Sequence, residues 1–158
     1  MIEPPRSLEQ RTADVLARLR GDVDLWVASA DADGDAYLVP LSFVWDGAAV
    51  TFATPRSSRT ARNLVRAGSA RVALGLTRDV VMLDGVVEAI AIGTDPALEE
   101  AHAAATGFDP RAEPEEYVYL RITPREIQAW REANELSGRK VMRAGRWLAE
   151  AQAPPDVP

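Results

Sequence analysis

The sequence of 158 residues has no cysteine and a single histidine, His102. Disulfides, thiolate catalysis and cysteine-ligated metals are therefore excluded, and a metal site is not expected because such sites need several converging ligands. No apolar run is long enough for a signal peptide or a membrane span. We therefore expect a cytoplasmic protein without a membrane partner.

The composition also restricts the number of domains and the class of partner. The length and a hydrophobic content of 47% suit one domain, which we assign to residues 1–150, followed by a disordered tail over 151–158. The net charge of −6 argues against a nucleic-acid partner, because such proteins usually carry a basic balance.

Apolar periodicity and turn residues predict the secondary structure. Helices are expected at 7–19, 58–67 and 95–105, with Ser7 and Asp95 as N-caps. Strands are expected at 25–30, 37–45, 50–54, 70–77, 80–92, 117–123 and 126–131, with a bulge at Gly85. Short, mostly adjacent strands with few helices between them predict a mainly β fold, an antiparallel barrel.

Positive charge is concentrated in one part of this acidic chain. The stretch 47–78 contains no Asp or Glu but holds six arginines: Arg56, Arg59, Arg62, Arg66, Arg71 and Arg78. Several of them lie where the third strand runs into a helix, whose free N–H groups and dipole attract anions. Arginines in this first turn repel one another unless an anion is bound, so we interpret the turn as a phosphate cradle with Ser57 and Ser58.

Two other interpretations of the arginines remain open. The helix could be an ordinary solvated face with a serine cap, since runs of charge are usually solvated. A groove for RNA or DNA is disfavoured by the net negative charge and by the lack of interleaved aromatic residues.

Three stretches resemble the pyridoxamine 5'-phosphate oxidase-like split barrels and their deazaflavin-dependent relatives. The stretches are 38–47 (LVPLSFVWDG), 54–64 (TPRSSRTARNL) with 69–73 (SARVA), and 127–131 (IQAWR) with 145–148 (GRWL). The resemblance spans roughly Ala13 to Leu148. It implies a split barrel, a homodimer, and a cofactor that is FMN or, alternatively, a deazaflavin coenzyme.

The resemblance also implies a set of cofactor-binding residues. A strand pair would press on the ring, a serine/basic turn would hold the phosphate, and the last strand would come from the partner subunit. The implied residues are Val39, Pro40, Leu41, Ser42, Thr54, Arg56, Ser57, Ser58, Arg59, Arg62, Asn63, Trp130 and Arg131. Thr60 stands where family members often have a lysine, so Arg59 and Arg62 are expected to supply the charge.

The expected function is therefore that of an oxidoreductase transferring a hydride to or from a small organic molecule. A bound cofactor of this kind carries the redox chemistry itself, so few catalytic side chains are expected and none is assigned. A non-catalytic flavin- or ligand-binding carrier of the same fold is the alternative. The second basic cluster, at 139–146, is assigned to the surface, with closure over an anionic ligand as the other interpretation.

Overall fold

The computed structural model of the protein describes residues 3–151, so the tail predicted over 151–158 lies outside the described residues from 152 onward. The helices are α1 (Leu8–Gly21), α2 (Arg59–Ala67) and α3 (Pro96–Thr106). The strands are β1 (Asp24–Ala30), β2 (Ala36–Trp45), β3 (Val50–Pro55), β4 (Ser69–Leu74), β5 (Val80–Ala91), β6 (Tyr117–Trp130), β7 (Lys140–Arg143) and β8 (Arg146–Trp147). None of the described helices has the length and apolar character needed to cross a membrane.

The strands form an antiparallel barrel. Six of them close into a ring in the order β3-β2-β1-β4-β5-β6, because β3 also pairs with β6, and β7 and β8 extend the sheet beyond β6. The β2–β3 and β1–β4 ladders are the shortest in the ring, with three pairs each, and β2 and β3 pair only over Phe43–Trp45 and Val50–Phe52. The predicted barrel is therefore confirmed, and it is split at this seam.

The predicted helix boundaries are confirmed by their caps. The side chain of Ser7 accepts a hydrogen bond from the N–H of Gln10, and the side chain of Asp95 accepts one from Leu98. Gly68 ends α2 in the left-handed conformation with φ 68°, which glycine adopts at little cost.

Two strand predictions need correction. The segments 117–123 and 126–131, predicted as separate strands, are one strand, β6, because β5 pairs along its whole length. The predicted bulge is confirmed, since the register shifts between Asp84 and Gly85. The short strands β7 and β8 were not predicted, because four and two residues give too little alternation to be recognised.

The core fills the barrel with alternating side chains from all six ring strands. Phe43, Phe52, Leu83, Leu120 and Ile122 are at most 1% exposed. Helix α2 contacts β1 to β5 and buries Ala61 and Leu64 in this core. It therefore covers one opening of the barrel and is held firmly where it meets the end of β3.

Candidate functional site

The seam leaves one edge of β2 free of strand partners. Residues 36–42 pair with β1 on one side and have no partner in β3, whose residues Ala53, Thr54 and Pro55 pair with β6 alone. Unpaired backbone N–H and C=O groups along a strand edge are ready to bind a planar polar molecule or another chain. The stretch Val39–Ser42, predicted to lie against a cofactor ring, belongs to this edge.

The four predicted residues of β2 alternate as a strand requires. Val39 and Leu41 are half-buried and pack on the core, whereas Pro40 is exposed on the outer face. The hydroxyl of Ser42 donates to Oδ1 of Asp24 at 2.6 Å. The side chain of Ser42 is therefore engaged on β1, and only the backbone of this stretch faces the seam.

The turn from β3 into α2 presents backbone donors. The side chain of Ser58 caps the helix by accepting a hydrogen bond from the N–H of Ala61, and the hydroxyls of Ser58 and Thr54 lie 3.0 Å apart. The first intrahelical bond runs from the N–H of Arg62 to the carbonyl of Ser58. The amides of Arg59 and Thr60 have no acceptor within the helix, and since Arg59 is exposed and Thr60 is buried, the amide of Arg59 is the one open to an incoming anion.

Arg59 spans the seam. Its guanidinium carbon lies 4.7 Å from the ring centroid of Tyr37 on β2, a cation–π contact that orients the charge over the open edge. The pKa of Asp31, in the adjoining hairpin, is lowered by backbone hydrogen bonds from Asp35 and Asp33 and also by the charges of Arg59 and Arg66. The charges of Arg59 and Arg66 therefore act on this hairpin, which itself carries Asp31, Asp33 and Asp35.

Two predicted cradle residues face the protein's own acids. Arg56 lies 3.5 Å from Glu116, and the hydroxyl of Ser57 donates to Glu115 at 3.4 Å. Both contacts are long, and all four side chains are exposed, so screening by water and salt leaves them weak. Arg56 and Ser57 can therefore exchange these carboxylates for an incoming anion.

The remaining arginines of the acid-free stretch divide into two groups. Arg71 and Arg78 form ion pairs with Asp84 and Glu132. Over residues 3–151, Arg59, Arg62 and Arg66 have no carboxylate within 4.0 Å. The charge that an anion could neutralise is thus concentrated on the exposed side of α2.

Asn63 and Thr60 occupy the inner side of α2. Asn63 is 6% exposed and donates from its amide to the hydroxyl of Ser29 on β1 at 3.0 Å. Thr60 is 2% exposed. These two residues are buried between α2 and the barrel, and the hydrogen bond of Asn63 ties the helix to β1.

Trp130 and Arg131 lie at the other end of β6. Tyr117 at the start of β6 pairs with Pro55 beside the cradle, whereas Trp130 pairs with Val80, roughly 40 Å further along the strand. Arg139 stacks over the Trp130 ring, with 5.5 Å from its guanidinium carbon to the centroid. Within one chain, neither predicted residue reaches the cradle.

Arg131 is held by acids at its own end of the barrel. Its side chain lies 3.2 Å from Asp79 and 3.6 Å from Asp14. Its backbone N–H donates to Glu135 at 2.8 Å. This network also includes Arg6, which is nearly buried and pairs with Glu135 at 2.8 Å.

An apolar patch covers the outer face of β2, β1, β4 and β5. Trp26 is 49% exposed and Leu38 59%, and both line a surface depression of about 320 Å³ with Ala73 and Met82. The register places Met82 opposite Gln128, so Trp130, two residues further along β6, lies on the same outer face. We call this surface the outer patch.

Sequence reasoning missed three residues of this arrangement. Tyr37 was read as the start of a strand, and its contact with Arg59 depends on where the seam opens. Glu115 and Glu116 stand between the predicted helix at 95–105 and the predicted strand at 117–123. The β3–β6 pairing brings them to the cradle, where the backbone N–H of Arg56 donates to the carbonyl of Glu116 at 2.8 Å. For these two residues, the only signal in the sequence is that they form an acidic pair directly before a predicted strand.

A six-stranded antiparallel barrel with a short ladder between β2 and β3 defines the split-barrel class. The sequence profile of the pyridoxamine 5'-phosphate oxidase family matches residues 12–131. The chain belongs to this family.

Solved structures show the same fold. A heme-binding protein from Mycobacterium smegmatis superimposes with a TM-score of 0.68 at 16% identity, covering 92% of this chain and 60% of that one. A Listeria innocua protein provisionally named pyridoxamine 5'-phosphate oxidase gives 0.62 at 16%, covering 75% and 97%. An F420 reductase gives 0.57 at 17%, covering 70% and 93%. These identities establish the fold alone, and no curated protein matches the sequence.

Proposed function

We propose that this protein is an oxidoreductase that holds FMN, or alternatively a deazaflavin coenzyme, at the seam between β2 and β3. The observation that carries the proposal is the position of Arg59. Its charge lies beside the free amide at the start of α2 and, through Tyr37, over the unpaired edge of β2. A phosphate and a planar ring would be bound side by side there.

The donors of this site fit a phosphate-bearing ligand. The amide and the guanidinium of Arg59 are donors without a carboxylate partner, and Ser57 and Arg56 add two more once Glu115 and Glu116 are displaced. No acidic side chain lies in the first turn of α2 to oppose a phosphate. Thr54, Ser58 and Asn63 support this turn from the inner side.

The chain's own residues would bind and orient the ligand. A flavin or deazaflavin supplies hydride transfer when bound. The backbone of Val39–Ser42 would hydrogen-bond the ring edge, because its second edge has no strand partner. Arg62, on the exposed side of α2, would add positive charge near the phosphate. The match to the pyridoxamine 5'-phosphate oxidase family and the fold shared with an F420 reductase leave both cofactors as candidates.

We propose further that the protein is a cytoplasmic homodimer in which a second copy covers the outer patch. Half-exposed Trp26 and Leu38 beside Met82 form an apolar surface suited to association. Trp130 shares that face, so dimerisation through it would bring Trp130 and Arg131 toward the cradle of the partner subunit. Trp26→Glu should then yield monomers in sedimentation velocity and lower cofactor affinity together.

The cofactor assignment is tested by titrating the purified protein with FMN and with the deazaflavin coenzyme, using ligand fluorescence. Arg59→Glu should weaken binding at least about tenfold, since a charge-assisted contact becomes a repulsion. Arg20→Glu, an exposed arginine on α1, makes the same change in net charge and should have little effect. Failure of the folded wild type to bind either cofactor, or equal effects of both substitutions, would refute the assignment.

The second candidate function is a non-catalytic carrier of the same ligand. The groups that line the seam favour a carrier. The hydroxyl of Ser42 is hydrogen-bonded to Asp24, and the other ligand-binding groups proposed for the seam are backbone groups or arginines. Anaerobic reduction of the bound cofactor followed by addition of candidate acceptors separates the two functions. Reoxidation faster than that of free reduced cofactor indicates an enzyme, and equal rates indicate a carrier.

A further inference from the structure

Helix α2 separates two different surfaces. Arg59 and Asn63 face Tyr37 on β2 and Ser29 on β1, which is the cradle side. On a helix of 3.6 residues per turn, Val65 projects about 120° around the axis from Arg59, onto a second flank, and Arg62 and Arg66 lie between the two. The proposed cofactor site uses the first flank, whereas the second flank has a cavity of its own.

This second cavity has an apolar floor and a basic rim. It measures about 380 Å³, and its floor consists of Ala61, Val65, Ala89 and Val118. Its rim consists of Arg56, Arg62 and Arg66. Val65 is 56% exposed, an unusual position for a branched apolar side chain between arginines. We call this cavity the α2–β5 cleft.

The rim arginines are oriented but not neutralised. Arg62 donates to the carbonyl of Ser57 at 2.9 Å, and Arg66 donates to the carbonyl of Ala30 at 2.8 Å. Within residues 3–151, the one carboxylate that comes within 4.0 Å of the rim guanidinium groups is Glu116, 3.5 Å from Arg56. Each guanidinium has five donors, so most of their hydrogen-bonding capacity remains for a ligand.

We propose that the α2–β5 cleft is a second binding site, for a small amphipathic anion with an apolar body and one carboxylate, sulfonate or phosphate group. The apolar body would cover Val65 and the floor, and the anionic group would lie between Arg62 and Arg66. Charge complementarity selects this class, because a neutral ligand leaves the rim unpaired and a purely polar anion leaves the floor exposed. The cleft shares Arg56 and Arg62 with the proposed cofactor site, but its apolar floor and Arg66 are its own, so the two ligands are expected to bind together.

Two matched probes test the charge requirement. 8-Anilinonaphthalene-1-sulfonate carries a sulfonate on an aromatic body, and N-phenyl-1-naphthylamine has the same aromatic skeleton without it. Fluorescence titration of the folded protein should show the sulfonate binding at least about tenfold more tightly. Equal affinities, or no binding of the sulfonate, would overturn the proposal.

Variants locate the site. The double substitution Arg62→Glu/Arg66→Glu should weaken sulfonate binding about tenfold or more and leave the neutral probe nearly unchanged. Arg20→Glu/Arg125→Glu, two exposed arginines elsewhere, makes the same charge change and should alter neither. Val65→Asn should weaken both probes, because it removes apolar floor. Equal loss in the two double variants would indicate non-specific attraction and overturn the proposal.

Competition separates this site from the cofactor site. Saturating FMN should leave the number and affinity of sulfonate sites unchanged, whereas displacement of the probe by FMN would show one shared site and overturn the inference. If FMN does not bind at all, the cofactor assignment fails while the probe titrations still test the cleft.

Discussion

The guanidinium of Arg59 lies 4.7 Å from the ring centroid of Tyr37, so a residue of α2 contacts the unpaired stretch of β2 across the seam of the barrel. Beside Tyr37, β2 has no ladder pair with β3, because the β2–β3 ladder ends at Phe43 and Phe52. The contact therefore positions the charge of the cradle relative to the open strand edge.

This contact makes Tyr37 a positioning residue for ligand binding. Tyr37→Leu should lower affinity for FMN or the deazaflavin about two- to fivefold, the value of an exposed cation–π contact. Tyr37→Phe keeps the ring and should bind like the wild type. Isothermal titration of the three proteins measures the difference, and a loss as large in Tyr37→Phe would contradict this role.

The buried ion pair of Arg6 and Glu135 should matter greatly to stability. Their side chains are 6% and 4% exposed, and Glu135 also accepts hydrogen bonds from the backbone of Arg6 and Arg131. Glu135→Gln should lower the free energy of unfolding by about 3 kcal/mol, because Arg6 keeps a buried charge with fewer partners. Glu132→Gln, which breaks the exposed pair with Arg78, should cost less than about 0.5 kcal/mol in urea unfolding.

The same pair predicts acid sensitivity. The hydrogen bond from Arg6 is the main factor that lowers the pKa of Glu135 to about 2 from an ordinary 4.5. Because the folded pKa is depressed, the stabilisation is complete above the ordinary pKa and is lost as the pH falls through the folded value. The free energy of unfolding, measured with urea, should therefore fall more steeply from pH 5 to pH 2 for the wild type than for Glu135→Gln. Parallel curves of this free energy against pH would contradict the assignment.

His102 predicts a second pH dependence, nearer neutrality. It is 1% exposed, its ring nitrogens make no hydrogen bond of good geometry, and its ring meets that of Tyr119 edge-on at 5.3 Å. Burial lowers the pKa of His102 below its ordinary 6.5, although the Phe108 backbone and Asp109 act in the opposite direction. The unfolded chain then binds the proton more readily, so stability is present above pH 6.5 and falls as the pH drops below it.

Comparison of the wild type with His102→Gln checks this dependence. The free energy of unfolding of the wild type should decrease between pH 7.5 and 5.5, and the decrease should be smaller in the variant, which has no group titrating there. An identical decrease in both proteins would assign the effect to other groups.

Gly85 at the β5 bulge should tolerate no side chain. A Cβ there would overlap the carbonyl oxygen of Thr123 on β6 and crowd Ile122. Gly85→Ala should therefore destabilise the protein by about 2 kcal/mol or more, because backbone atoms cannot move aside cheaply. Gly21→Ala, where a Cβ meets nothing within 4 Å, should be neutral or slightly stabilising in thermal unfolding.

The sequence alone determined the features that depend on neighbouring residues. Ser7, Ser58 and Asp95 cap their helices, and Gly68 ends α2, because cap geometry involves residues only a few positions apart. Alternation along the strands was also sufficient to predict an antiparallel barrel. The accumulation of arginine at the start of α2 was visible because it needs only a count of charges.

Only the tertiary structure decided which of these features meet. The seam exists because β2 pairs with β3 over only three residues, whereas β3 pairs with β6 along its whole length, between residues 62 to 72 positions apart, from Pro55 with Tyr117 to Val50 with Ile122. That pairing brings Glu115 and Glu116 to the cradle and carries Trp130 to the far end of the barrel. Strand periodicity is the same for any partner, so local sequence cannot specify long-range pairing, and the geometry of the candidate site follows from that pairing.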